Sequence, residues 1–168
     1  TLWHTLSLHD ALPISRGLFA DAPEAVLFVL VGLGKYKHFL PRVSESRVTR
    51  RDGWHTYAVL RTDLPWPAKD AWIYVKATRH YKPGRTYELR WTMLNGTLKH
   101  CSGVARMKPY GRGKGRALLT YTVTVELATR APDAVLLSGL RNTVSTIVHR
   151  TRMRLSALRK YGRIPKGM

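Results

Sequence analysis

Five histidines stand beyond residue 15, at His38, His55, His80, His100 and His149, and the chain has one cysteine, Cys101. No two of these histidines have the His-Glu-x-x-His spacing that puts two imidazoles on one helical face around zinc. His100 and Cys101 are neighbours in a strand-like stretch, so their side chains point to opposite faces and cannot form a nucleophile–base pair. Ten acidic residues in 168, and no serine nucleophile elbow, leave no convincing carboxylate pair for general acid–base work. Gly111-Arg-Gly-Lys-Gly115 shares its composition with a phosphate loop. It lacks the four-residue gap, the Lys-Ser/Thr end and the following helix, and reads as a hairpin turn. No catalytic residue and no metal ligand is assigned, and the balance of residues points to binding rather than reaction.

Charge is the outlier. The formal net charge is +19, a field that favours polyanions such as RNA, the ribosome or an anionic membrane. The cations are spread through the chain and concentrate only near its end, at Arg150, Arg152, Arg154, Arg159, Lys160, Arg163 and Lys166. Those side chains could hold phosphates. Cations at a helix C-terminus also complement its dipole, and both readings stay open.

That basic cluster ends one long amphipathic helix, expected from about Pro132 to Lys160. Its stripe runs through Leu136, Leu140, Val144, Ile147, Thr151, Leu155 and Leu158, steps of three and four that fit a 3.6-residue period. At 1.5 Å per residue the rod is roughly 40 Å long. A partner of that length must come from the preceding strands. They are expected at 43–51, 54–62, 71–80, 86–94, 98–107 and 117–129. Asp52-Gly53, Lys82-Pro-Gly84 and Asn95-Gly96 are the expected turns. Within 86–94, Tyr87, Leu89, Trp91 and Met93 alternate with polar residues, the mark of a half-buried strand. A first strand is expected from Gly17, with Asp21 capping a short helix that carries Pro23 in its first turn. A second short helix is expected at 35–40.

Thr5-Leu-Ser-Leu-His-Asp-Ala-Leu-Pro-Ile-Ser15 is the one-frame translation of a common short-read sequencing adapter. Residues 1–15 are therefore expected to be an artefact outside the domain. The domain is then 16–161 and the basic tail 162–168. The native N-terminus and any signal peptide would be missing, and the compartment stays open, with cytoplasm or a peripheral membrane site favoured. The lone cysteine excludes an internal disulfide. The apolar run 25–33 is too short to span a bilayer.

Ala22-Pro23, Val26, Leu30, Tyr36, Phe39-Leu40-Pro41, Val43 and Ser46 come first, then Leu64-Pro65-Trp66-Pro67 with Asp70. Gly103, Pro109, Tyr121 and the last helix follow. In order and spacing these resemble the START-like helix-grip (SRPBCC) superfamily, and within it the polyketide cyclase and coenzyme Q-binding START-domain branch. The resemblance implies an α+β helix-grip fold. About seven antiparallel strands would curve around the long C-terminal helix, with two short helices after the first strand. It also implies an apolar cavity between sheet and helix, because family members bind lipids, quinones or polyketides, while some bacterial relatives act on ribosomes.

Tyr87, Leu89, Trp91, Met93, Leu140, Val144 and Ile147 are the expected cavity wall. Polar groups are sparse among them, so the expected ligand is mostly apolar and bound with little dependence on salt. The leading expectation is non-catalytic binding of a quinone, lipid or polyketide-like molecule. The alternatives are a ribosome- or RNA-associated protein using Arg150, Arg152, Arg154, Arg159 and Lys160, and a cyclase or aromatase.

Overall fold

The computed structural model describes residues 14–63, 70–111, 115–126 and 133–164, with the backbone alone at 14, at 133–141 and at 144. Seven strands form one antiparallel sheet: β1 Ile14–Phe19, β2 Val43–Asp52, β3 His55–Thr62, β4 Ala71–Lys82, β5 Thr86–Gly96, β6 His100–Pro109 and β7 Ala117–Glu126. Helix α1, Pro23–Val31, and a 3-10 helix, Leu33–His38, lie between β1 and β2, and α2, Asp133–Lys160, closes the chain. The sheet order is β1-β7-β6-β5-β4-β3-β2, so β1 and β2 are its edges. This is the expected α+β helix-grip architecture.

Period-two alternation decides which face is inside. Ala58 on β3, Val75 and Ala77 on β4, Tyr87 and Leu89 on β5, Ala105 and Met107 on β6, and Ala117 and Leu119 on β7 are all buried. Register aligns them in rows across the sheet. One row runs Thr56–Ala77–Trp91–Gly103–Val123 and the next runs Arg79–Leu89–Ala105–Tyr121. The small residues in these rows leave room above the sheet. Trp91 fills part of it by lying over Gly103, where an added Cβ would collide with the indole. Tyr121 packs beside it, with ring centroids 5.0 Å apart.

The helices cover this face. Val26, Leu27 and Leu30 of α1 and Val148, Thr151, Leu155 and Leu158 of α2 are buried. The α2 stripe thus holds at Thr151, Leu155 and Leu158, while Val148 is more deeply buried than Ile147. The chain turns back after α2, where Gly162 has φ 62° and the Arg163 N–H donates to Leu158 O at 2.9 Å. A glycine in the left-handed region past the last turn is the usual way to satisfy terminal carbonyls. Ile164 then packs against the core, so the start of the expected tail belongs to the domain.

Several local expectations are corrected. β1 begins at Ile14, not Gly17, and Ile14 and Ser15 pair with Thr122 and Tyr121. The β2–β3 turn is Gly53-Trp54, because Asp52 pairs with His55. Asn95 and Gly96 stay in β5, opposite Tyr74 and Ile73, and the chain turns after them. Gly96 is required there: its φ is 155° and an added Cβ would stand 2.5 Å from Trp72 O. Asp21 makes no cap; the N-cap of α1 is Ala22, with no side-chain bond. Leu64-Pro65-Trp66-Pro67, most of the 111–115 loop, and the side chains of Leu136, Leu140 and Val144 lie outside the described residues.

Candidate functional site

A cavity of about 550 Å³ opens between the sheet, the two short helices and the end of α2. Phe28 and Val31 line it, with Gly32 and Lys35 following. Val29 of α1, itself buried, lines it as well, so the cavity borders the end of α1 and the start of the 3-10 helix. Phe39 adds an aromatic ring after the 3-10 helix. The floor is Thr56, Ala77 and Leu89, neighbours on the inner face of β3, β4 and β5. Arg154 and Leu158, one helical turn apart on α2, close the remaining side.

The rim is cationic. Lys35, Arg51, Arg79, Arg154 and Arg163 all line the cavity, and no carboxylate does so among the described residues. Arg79 points inward because it follows Ala77 by two in β4, and it pairs across the ladder with Leu89. Its guanidinium lies 5.0 Å from the ring centroid of Trp54, which sits at the hairpin tip and is 56% exposed. Described carboxylates near these elements are engaged elsewhere. Asp52 is 3.9 Å from Arg50. Glu24 accepts the Tyr87 hydroxyl at 2.6 Å, and Asp21 accepts Arg159 at 2.9 Å.

Of the expected wall, Leu89 alone reaches this cavity among the described residues. Tyr87 is buried one row away, where its hydroxyl donates to Glu24 and accepts the Gly84 N–H at 2.6 Å. Burial, reinforced by Glu24, raises its pKa. It clasps α1 to the β4–β5 turn. Trp91 and Met93 join a second apolar cluster with Cys101 and Val123. Ile147 is half-buried, and the side chains of Leu140 and Val144 are not described. Five cations that the expected wall did not include also line the cavity.

The basic residues of α2 divide by role. Arg154 lines the cavity. Arg159 is tied to Asp21. Arg152 donates to Leu18 O at 2.9 Å and stacks over Phe19. Lys160 is exposed and Arg150 half-buried. Sequence reasoning missed Phe28, Phe39, Trp54, Lys35, Arg51 and Arg79. Alternation along β4 could have shown Arg79, because it shares the parity of Val75 and Ala77.

Groups with perturbed ionisation lie off this cavity. Burial pushes Cys101 up to about 11. It also raises the Tyr36 phenol, whose hydroxyl donates to Leu30 O at 2.6 Å, and the buried Tyr121 phenol. Among the described residues no group of three or more His, Cys, Asp or Glu side chains is placed to hold a metal. No helix among them is long and apolar enough to cross a membrane.

The sequence matches no protein-family model and no curated protein. Solved structures do match. The ZhuI aromatase/cyclase from Streptomyces sp. R1128 is 12% identical, with TM-score 0.72 over 88% of this chain and 94% of that one. A START superfamily protein from Mycobacterium smegmatis is also 12% identical, with TM-score 0.72 over 88% and 98%. A STAR-related lipid transfer protein from Xanthomonas axonopodis is 14% identical, with TM-score 0.72 over 85% and 84%. Strand order, the long terminal helix and these superpositions give the chain the START-like helix-grip fold.

Proposed function

We propose that the domain is a non-catalytic binding module that holds a hydrophobic small molecule, of quinone, lipid or polyketide-like type, between its sheet and its helices. The observation that carries this reading is the cavity of about 550 Å³ with Phe28, Phe39, Val31, Leu89 and Leu158 on its wall. Ligand sites are typically concave, mostly apolar spaces of about 300–1,000 Å³ with a few placed polar groups. An apolar molecule entering it gains roughly 25 cal/mol for each Å² removed from water. The described lining contains no histidine, cysteine or carboxylate, which favours holding a molecule over transforming it. The fold agrees with this use, since one similar structure is a lipid transfer protein. Another is an aromatase/cyclase, a reading that needs acid and base groups in the cavity.

The test is uptake. Purified full-length protein is incubated with a total lipid extract, re-isolated and analysed by mass spectrometry, and is titrated separately with a short-chain quinone. Ala77→Phe, which fills the cavity floor, should abolish uptake while leaving a cooperative melt. No uptake by the native protein, beside tight RNA binding that weakens steeply with salt, would replace this reading with the nucleic-acid one.

A further inference from the structure

Lys35, Arg51, Arg79, Arg154 and Arg163 converge on one cavity from the 3-10 helix, β2, β4, α2 and the turn after α2. Among the described residues none of the five is ion-paired, although six other pairs are formed. Like charges gathered around one opening repel one another, and that cost is relieved when a counter-charge binds. Arg79 and Arg154 are half-buried, so water screens them less than it screens the exposed arginines of the outer surface. Guanidinium groups offer forked donors that fit carboxylate and phosphate oxygens. The same cavity is lined by the half-buried Phe28 and Phe39 and by the buried Leu89.

Resting on the binding role proposed above, we infer that the ligand is an anionic amphiphile, with a carboxylate or phosphate head held by the arginine rim and an apolar body lying along the phenylalanine wall. Arg79 is the central contact. It alone of the five comes from a central strand, it adjoins Leu89 in the ladder, and Trp54 stacks on it from the hairpin tip. A neutral quinone would leave this rim without a partner.

The experiment compares heads on a constant tail. Full-length protein is titrated calorimetrically with dodecanoate, dodecyl phosphate, dodecanol and dodecyltrimethylammonium below their micellar concentrations, and with inorganic phosphate alone. At least one anionic amphiphile should bind about tenfold or more tighter than dodecanol, the scale of one charge-assisted contact. Whichever of dodecanoate and dodecyl phosphate leads identifies the head. Arg79→Gln should erase most of that preference and the exposed Arg51→Gln only part of it, with dodecanol still bound by both variants. Equal binding of all four tails would overturn the inference and leave the binding module standing. So would inorganic phosphate binding as tightly as dodecyl phosphate, which would make the rim a plain anion site. Failure of every tail to bind would remove both readings.

Discussion

Arg159 holds Asp21 through two contacts of 2.9 Å, Nε to one carboxylate oxygen and Nη2 to the other, across 138 residues of sequence. Asp21 is 8% exposed and stands just before α1, while Arg159 is in the last turn of α2. The pair therefore joins the two helices that flank the cavity. A guanidinium that sequence reasoning offered to RNA or a membrane is used within the fold.

Removing that guanidinium should leave a buried carboxylate unpaired. Arg159→Ala is expected to lose about 2 kcal/mol, or about 4–8 °C in melting temperature for a domain of this size. Arg159→Lys should recover only part, because lysine lacks the fork. An Arg159→Ala protein that melts with the parent would show that the pair contributes nothing.

Thr151 is fully buried in α2 and its hydroxyl has no hydrogen-bond partner among the described residues. Thr151→Val keeps the shape and removes the unsatisfied group, so it should raise stability by about 1 kcal/mol. Denaturant unfolding checks this: the midpoint should rise with the slope unchanged. A lower midpoint would mean that the hydroxyl has a partner in solution.

Glu88 on β5 is held by Arg106 at 2.6 Å and by Arg90. Burial alone would raise its pKa, but the two guanidiniums outweigh that and bring it below the usual carboxylate value. Above the ordinary range the carboxyl is ionised in the folded and the unfolded chain, and the pairing stabilises the fold in full. That contribution is lost as pH falls through the lowered native value. Wild-type melting temperature should therefore drop more steeply than that of Glu88→Gln between about pH 5 and pH 3. Parallel curves would show that the cluster is energetically silent.

Much of this architecture is legible in the sequence, for reasons of period. Tyr87 and Leu89 lie inside because alternation in a half-buried strand leaves no other register. Leu155 and Leu158 face the sheet because a 3.6-residue stripe must be covered. Turns are less legible: Asn95-Gly96 carries a hairpin signal, yet Gly96 serves a close backbone approach to Trp72 inside β5. The cavity was hardest to see. Trp91 and Met93 have the right parity but pack with Cys101 and Val123, and nothing in one strand shows what fills the space above it. The rim arises only when register brings Arg79 beside Leu89 and folding brings Lys35, Arg51 and Arg154 to the same opening.

Cys101 gives a chemical check on that second cluster. Burial places its pKa at about 11, against about 8.5 for a free thiol, so at pH 8 its thiolate is more than about 100-fold scarcer. Native protein should react with iodoacetamide at least about tenfold more slowly than unfolded protein, because the greater nucleophilicity of a more basic thiolate offsets part of its scarcity. Comparable rates would mean that the Trp91–Tyr121 region opens readily.

The two borders of the sheet bear on how the protein stays in solution. An unprotected outer strand invites another sheet to add to it. At β1 the Leu18 carbonyl accepts from Arg152 Nε of α2 at 2.9 Å, so one acceptor of that border is already engaged. At β2 the means are different: Glu45, Arg47, Arg50, Arg51 and Asp52 place charge along the strand, and two register shifts bend it. Copies meeting border to border there would have to bury those charges and straighten those irregularities. Concentrated solutions of this chain should therefore resist ordered sheet-to-sheet association through β2.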